Sequence, residues 1–231
     1  MSFKFSPKIV TDGLVLYLDA SNTKSYVSGS TIWYNLSNNL VNGSVINEPV
    51  FSSENKGCIV FDGINDYVTI NDNDIFTFSN NNFSIDFWIN FSDISNNRTI
   101  ASQYNAIGLA PIWVGRVGSN FSVYASSDAV NWDILNNSLG FTLTTNTWMN
   151  ITLTRVGNVW TSYKNGVQQS TVNAAGTLYN STNNYVLAYR NVVGDGYHAC
   201  KISNFKIYKN KGLSSLEIQQ NYNTLKSRFG L

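Results

Sequence analysis

The sequence predicts an all-β chain folded as a two-sheet antiparallel sandwich with one short C-terminal α-helix. Apolar and polar residues alternate in FSIDFWINF (83–91), which is the period of a half-buried strand. Three further alternating runs are separated by Gly157-Asn158 and Asn165-Gly166, and such pairs favour the two-residue turns of antiparallel hairpins. No linker divides the 231 residues, so we expect a single domain over 1–231.

Strand candidates follow one another along the chain, beginning with KIVTDGLVLYLD (8–19). In CIVFDGINDYVTI (58–70), the Asp62-Gly63 pair predicts a tight corner between two short strands. A polar and aromatic stretch, 128–137, is predicted as a loop or an edge hairpin. The remaining strand candidates are 32–34, 43–46, 83–91, 98–102, 107–117, 120–126, 149–156, 159–164, 167–172, 185–190 and 201–208.

One helix is predicted over 214–227. Ser214 is placed to cap it, and Glu217 completes a capping box. Leu213 can pack against Ile218 on the opposite side of the cap. The apolar stripe of this helix consists of Ile218, Tyr222 and Leu225.

Composition excludes strongly charged partners. Only 13% of the residues are charged and the formal net charge is +1, so no field attracts nucleic acid, and no apolar run is long enough to insert into a membrane. Uncharged polar runs such as SNNN (79–82) and NSTNN (180–184) suit contacts with sugars or with another protein. Cys58 and Cys200 are predicted to be buried free thiols.

Catalytic groups are sparse, and we expect no enzymatic activity. Glycoside hydrolysis needs two carboxylates across the scissile bond, but no predicted strand carries such a pair, and Asp86 stands alone on its face. The glutamates are Glu48, Glu54 and Glu217, in a loop, a turn and the helix cap. The single histidine, His198, lies near Asp195 and Cys200, and a structural role is expected for it.

Aromatic side chains in or near irregular segments are the candidate ligand-binding residues, because an exposed ring can stack on a pyranose. These candidates are Tyr104, Trp113, Trp132 and Tyr197, with Arg190 as a polar neighbour. Each could equally be a packing residue of the core or of a loop. Trp88, Trp148 and Trp160 are assigned to the sandwich itself.

An ordered set of motifs covers almost the whole chain: GLVLYLDA (13–20), WYNLSNN (33–39), FDGINDYVTI (61–70), FSIDFWI (83–89), W-x-x-I-x-x-T (148–154), YKNGV (163–167) and ISNFKIYKNKGLSSLEIQQNY (202–222). Together these motifs resemble the laminin-G-like, or concanavalin A-like lectin/glucanase, jelly-roll domains. The resemblance implies two curved antiparallel sheets, with a concave face and loops that bind carbohydrate in many members. The ending EIQQNYNTLKSRFGL (217–231) is also similar to laminin-G-like domains in structural proteins of tailed bacteriophages.

The resemblance also indicates where Ca²⁺ would bind, namely at the WYNLSNN turn and just before KIYKN. Here those places hold Asn35, Ser203 and Asn204, which are neutral, so a Ca²⁺ site is disfavoured and no cofactor is expected. The acidic groups Asp62/Asn65/Asp66 and Asp72/Asp74 are interpreted as turns and caps rather than as metal sites.

The leading hypothesis is a non-catalytic virion surface or structural protein, either a capsid decoration or a fibre and attachment component. It would dock onto other virion proteins or onto itself, and would also bind a cell-surface glycan. Without a signal peptide, it would be synthesised in the host cytoplasm. The alternatives are a free carbohydrate-binding lectin or adhesin module and a divergent glycoside hydrolase.

Overall fold

The computed structural model describes residues 8–104, 108–190 and 196–231, which form two antiparallel β-sheets facing each other and one short C-terminal helix, as predicted. The strands are β1 (Leu14–Asp19), β2 (Ile32–Trp33), β3 (Gly43–Ile46), β4 (Val50–Ser52), β5 (Cys58–Asp62), β6 (Tyr67–Ile70), β7 (Phe83–Phe91), β8 (Arg98–Ser102), β9 (Ile112–Val117), β10 (Asn120–Ala125), β11 (Leu135–Ser138), β12 (Trp148–Val156), β13 (Val159–Lys164), β14 (Val167–Asn173), β15 (Tyr185–Leu187), β16 (Tyr189–Arg190), β17 (Gly196–Tyr197) and β18 (Ala199–Lys209). The helix α1 is Ser215–Leu225, and short 3-10 helices span Glu54–Lys56, Asp74–Phe76 and Lys226–Phe229.

Sheet A has the strand order β14-β13-β12-β7-β18-β5-β4, and β1 also pairs with β18. Sheet B has the order β11-β10-β9-β8-β15-β6-β3-β2. The hairpin of β16 and β17 forms a separate two-stranded ribbon next to β8. The main core lies between sheets A and B, and Trp160 belongs to it, as predicted.

The tight corner predicted at Asp62-Gly63 is present between β5 and β6, and it joins the two sheets, because β5 belongs to sheet A and β6 to sheet B. Asp62 Oδ1 accepts hydrogen bonds from the amides of Ile64 (2.7 Å) and Asn65 (3.3 Å), and Asp66 Oδ2 accepts one from the amide of Asp62 (3.1 Å). These bonds turn the chain out of one sheet and into the other. The acidic side chains thus form the turn itself.

The prediction that β7 is half-buried is wrong, because all nine of its residues are buried. Its outer face lies under α1 and the following 3-10 helix, where Trp88 stacks on Phe229 with ring centroids 3.9 Å apart. Trp148 packs against the same phenylalanine at 4.9 Å. Trp88 and Trp148 therefore belong to the layer between sheet A and the C-terminal segment, outside the main core.

The capping box at the start of α1 is present as predicted, with Ser214 and Glu217 bonded in both directions. The α-helix ends at Leu225 rather than at 227, and a 3-10 turn then carries Phe229 onto Trp88. None of the helices in the described residues has the length and apolar character needed to span a bilayer.

A buried ion pair lies beneath α1. Lys206 Nζ donates to Asp86 Oδ1 at 2.7 Å, and neither side chain is exposed to solvent. Thr152 Oγ1 donates to the other oxygen of Asp86 at 2.8 Å, and Asn204 Oδ1 accepts from Lys206 Nζ. Asp86, which stood alone in the sequence, therefore has its partners on the two strands that flank β7.

Three predicted strands differ from the structure by more than two residues at an end or by a break. The strand predicted over 8–19 begins only at Leu14, after a turn in which Gly13 has φ +73°. The strand predicted over 185–190 is divided at Ala188 (φ +65°) into β15 and β16. The predicted strand 107–117 begins at Ile112, and Ile107 lies outside the described residues. Cys58 and Cys200 are buried and free, as predicted.

Candidate functional site

The outer face of sheet B carries the predicted ligand-binding residues. The strand registers align Thr69, Val186, Ser102, Trp113 and Tyr124 in one row across five neighbouring strands. Residues directly opposite each other in a sheet share a face. Their sequence neighbours Val68, Leu187 and Val114 point into the main core, so the row itself points outward.

The first aromatic group on this face is a tyrosine cluster made of Tyr67, Tyr104, Tyr189 and Tyr197. Tyr189 is the register partner of Tyr197 and stacks on it with centroids 4.4 Å apart. Tyr67 lies 4.9 Å and Tyr104 6.4 Å from the Tyr189 ring. Burial, followed by the neighbouring hydroxyls of Tyr104 and Tyr197, raises the pKa of Tyr189.

The second aromatic group consists of Trp113, Tyr124 and Trp132. Tyr124 lies 5.2 Å from Trp113 and 5.4 Å from Trp132 between ring centroids. Arg190 joins this group to the tyrosine cluster, because its guanidinium lies 5.9 Å from the Trp113 ring and it follows Tyr189 in β16. The five predicted side chains therefore lie along one surface.

Trp113 lies too deep in that surface to stack on a ligand, since it is 3% exposed. Its Nε1 donates to Thr99 Oγ1 at 2.6 Å. The ring lies flat on β9 because Gly115, two residues further on, has no side chain; a Cβ there would be 2.3 Å from the ring. We therefore reinterpret Trp113 as the floor beneath Tyr124 and Arg190. Tyr104, Trp132, Tyr197 and Arg190 remain half-buried and accessible.

A pocket of about 390 Å³ adjoins the tyrosine cluster. It is lined by Tyr104, Thr182, Asn183, Asn184 and Val186. Val186 forms the apolar floor, Tyr104 supplies an aromatic wall, and the other three supply hydroxyl and amide groups. A concave site with an apolar surface and a few polar groups is typical of small-molecule binding.

The polar wall of this pocket is held in place by Gln103, which is 3% exposed. Gln103 Nε2 donates to Asp72 Oδ1 (2.6 Å) and to the carbonyl of Asn183 (2.7 Å). The amide of Asp72 in turn donates to Asn184 Oδ1 at 3.2 Å. The hydrogen bond to Oδ1 thus orients the Asn184 side chain. Among the described residues, Asn184 Nδ2 makes no hydrogen bond.

Sequence reasoning missed Tyr67, Tyr189 and the three polar lining residues. Tyr67 had a readable signal, since it alternates with the inward-facing Val68 in β6. The polar lining lies in the NSTNN run, which the composition had marked only as a surface suited to sugar contact. The position of Tyr189 in the cluster depends on how the β16–β17 ribbon packs over sheet B, and no local sequence pattern predicts that packing.

His198 is fully buried. Its Nε2 accepts from Arg116 Nε at 3.1 Å, its Nδ1 faces the Thr99 carbonyl at 3.1 Å, and its ring stacks on Phe91. Burial, and then the positive charge of Arg116, lower the pKa of His198 to about 3. The structural role expected for it agrees with these contacts. Asp195 lies outside the described residues.

The positions that the family resemblance links to Ca²⁺ are occupied by side chains engaged in protein hydrogen bonds. Asn35 Oδ1 accepts from the amides of Tyr17 and Ser37. Ser203 Oγ donates to the carbonyl of Gly57 at 2.8 Å, and Asn204 bonds Lys206. Within the described part of the chain, no group of three or more His, Cys, Asp or Glu side chains could hold a metal ion.

Two antiparallel sheets and an open, aromatic outer face define a lectin-like jelly-roll domain. The profile of the concanavalin A-like lectin/glucanases superfamily matches residues 62–219, more than half of the sequence, and the chain belongs to this superfamily. No curated protein matches the sequence.

Solved structures with the same fold include binding domains of toxins. The binding domain of paraclostridial mosquitocidal protein 1 is 16% identical, with a TM-score of 0.70, and the match covers 91% of this chain and 52% of that one. The botulinum neurotoxin type G receptor binding domain is 18% identical, with a TM-score of 0.67 and coverages of 90% and 50%. This chain therefore spans about half the length of these domains.

An enzyme is also among the similar structures. Trypanosoma rangeli sialidase is 12% identical to this chain, with a TM-score of 0.68. The match covers 95% of this chain and 34% of the sialidase. At this identity the likeness concerns the fold alone.

Proposed function

We propose that this domain is a non-catalytic recognition module that binds a carbohydrate through the tyrosine cluster and the adjoining pocket. The observation that carries the proposal is the position of Tyr104. Its ring is part of the cluster and also lines the pocket beside Thr182, Asn183 and Asn184. An aromatic surface next to amide and hydroxyl groups matches both the apolar face and the hydroxyl rim of a pyranose.

The chemistry of the site favours a ligand of low charge. The described lining of the pocket holds no Asp, Glu, Lys, Arg or His side chain, and burial raises the pKa of Tyr189 in the adjoining cluster. Arg190 follows Tyr189 in β16, and its guanidinium donates to the carbonyl of Gly108. Two of the similar structures are named as the binding domain of a mosquitocidal protein and the receptor binding domain of a neurotoxin, and these names agree with a recognition role.

The placement of the carboxylates supports a non-catalytic role. Asp86 is paired with Lys206 under α1, Glu217 belongs to the capping box, and Glu54 is paired with Lys201 at 2.5 Å. A glycosidase of the two-carboxylate type needs an acid and a base or nucleophile facing each other across a cleft. Turnover of a panel of chromogenic glycosides would contradict this part of the proposal.

A glycan array probed with the purified chain tests carbohydrate binding. We expect binding to a restricted set of glycans, and a loss of at least tenfold in affinity for Tyr104→Ala, because the variant removes the wall shared by the cluster and the pocket. Leu216→Ala is the matched control, since Leu216 is 79% exposed on α1 behind the other sheet. Equal binding by both variants, or no binding to any glycan, would count against the proposal.

We further propose that the domain works on a virion, as a capsid decoration or a fibre component. The support is the similarity of residues 217–231 to laminin-G-like domains of bacteriophage structural proteins. Mass spectrometry of purified particles from the source is the test, with multiple copies per particle as the expected result. A chain found only in soluble fractions would favour a free lectin or adhesin.

A further inference from the structure

A second, larger concavity lies at the β2–β3 edge of sheet B. This groove has a volume of about 770 Å³ and is lined in part by Thr31, Ile46, Asn47, Glu48 and Asn65. Its lining combines uncharged polar side chains with Tyr26, Val45 and Pro49, and Glu48 is the one carboxylic acid among its described lining residues. The size of each concavity falls in the range that binding sites occupy.

The groove continues into the tyrosine cluster. Ile46 of β3 lines the groove and is the register partner of Tyr67 in β6, so the two side chains stand side by side on the outer face. Tyr67 contacts Tyr189, and Tyr189 contacts Tyr104, which lines the pocket. Groove, cluster and pocket are therefore linked through neighbouring side chains on the outer face of sheet B.

The strand order gives the length of this surface. From β3 to β8, which ends just before Tyr104, there are three inter-strand steps through β6 and β15. At about 4.8 Å for each step, Ile46 in the groove and the end of β8 near Tyr104 are separated by about 14 Å across the strands alone. A single pyranose ring cannot contact both.

The wall of the groove has an unusual backbone. Asn47 (φ +64°) and Glu48 (φ +61°) are consecutive non-glycine residues in the left-handed region, a conformation that costs free energy. Asn47 Nδ2 holds it by donating to the carbonyl of Asn65 at 2.6 Å. The side chains of Asn47 and Glu48 are exposed, so the strained turn presents an amide and a carboxylate to a ligand in the groove.

From this continuity we propose that the ligand is a linear oligosaccharide whose chain runs from the pocket at Tyr104, across the tyrosine cluster, and into the groove at Asn47 and Glu48. This inference rests on the proposed carbohydrate binding and adds the length of the ligand. One ring stacks at Tyr104, the following rings cross the phenols, and the far end donates hydroxyl hydrogen bonds to Asn47 and Glu48.

The test measures affinity by calorimetry against chain length, from one to six units, with three neutral series: β-1,4-linked glucose, α-1,4-linked glucose and β-1,4-linked N-acetylglucosamine. In the series that binds, we expect affinity to rise at least tenfold between the dimer and the pentamer and then to level off. Thr31→Trp, at an exposed position, fills the groove. It should reduce pentamer affinity to that of the dimer and leave dimer affinity unchanged.

Val167→Trp is the control, because Val167 is exposed on β14, the far edge of sheet A. Affinity that is independent of length, with no effect of Thr31→Trp, would overturn the extended ligand but leave a single-ring site at Tyr104 intact. No binding in any series, or binding that Tyr104→Ala leaves unchanged, would overturn the proposed function as well.

Discussion

His198 shows how one buried side chain couples folding to pH. Its ring nitrogens are both occupied, by Arg116 and by the carbonyl of Thr99. A proton on Nε2 would remove an acceptor and place a second positive charge beside Arg116. The nearest opposite charge, Asp93, is half exposed and bonds Arg116 at 3.4 Å, so it compensates little.

We predict that the domain loses stability as the pH falls from about 6.5 to about 3. The unfolded chain takes up a proton on His198 near pH 6.5, whereas the folded chain does so only near its lowered pKa of about 3. The stabilisation is therefore complete above pH 6.5, and about 2–3 kcal/mol of it is lost by pH 4.5. Urea unfolding of the wild type and of His198→Gln, at pH 7 and pH 4.5, measures this. Equal losses in both proteins would contradict the prediction.

The buried pair of Lys206 and Asp86 gives a second prediction. Lys206→Met should lower the free energy of unfolding by about 3–5 kcal/mol, because it leaves a buried carboxylate without its cation. The double variant Asp86→Leu/Lys206→Met should recover most of this loss. Lys201→Met, on the same strand but in the exposed pair with Glu54, is the control and should cost less than about 1 kcal/mol. Similar losses for the two lysine variants would show that burial of the pair is unimportant.

At the scale of elements, the start of α1 was predicted to within one residue, and its end was predicted two residues too late. Its capping box is local, since the residues that satisfy the first amides lie three positions apart. The 3-10 continuation was not predicted, because it forms where Phe229 reaches Trp88, a contact between residues 141 positions apart in the sequence.

We predict that Ser214→Ala destabilises the domain by about 1 kcal/mol, since the amide of Glu217 loses its acceptor. Ser215→Ala is the matched control, because Ser215 is exposed in the first turn and makes no cap; its effect should stay within about 0.5 kcal/mol. Thermal denaturation of both variants decides the matter. If the two changes have the same effect, the cap does not contribute to stability.

For the whole molecule, we predict that Ca²⁺ does not stabilise the fold. The neutral side chains of Asn35, Ser203 and Asn204 are already held by protein hydrogen bonds, so a bound ion would lack charged ligands. The melting temperature should be the same in EDTA and in millimolar Ca²⁺. Glycan affinity measured under the same two conditions should also agree, and a Ca²⁺-dependent rise in either quantity would contradict the prediction.

The sequence predicted the strands of the two sheets better than it predicted which faces of those strands are covered. Alternation identified β7 and β12, but it could not show that the face carrying Asp86 and Trp88 would be covered by α1, because that depends on packing between distant parts of the chain. The candidate site was predicted in part for the same reason. Rings in irregular segments, such as Tyr104, were identified from their position in loops. The depth of Trp113, in contrast, depends on Gly115 beneath it and on Arg190 above it.

The position of β18 in sheet A has a consequence for folding kinetics. This strand pairs with β1, β5 and β7, and its contact between Ile207 and Leu16 joins residues 191 positions apart. Until β18 has been synthesised, sheet A consists of separate pieces whose edges are unpaired. Closing such long loops is slow, so nascent chains of this domain should rely on chaperones and acquire protease resistance only after β18 has left the ribosome.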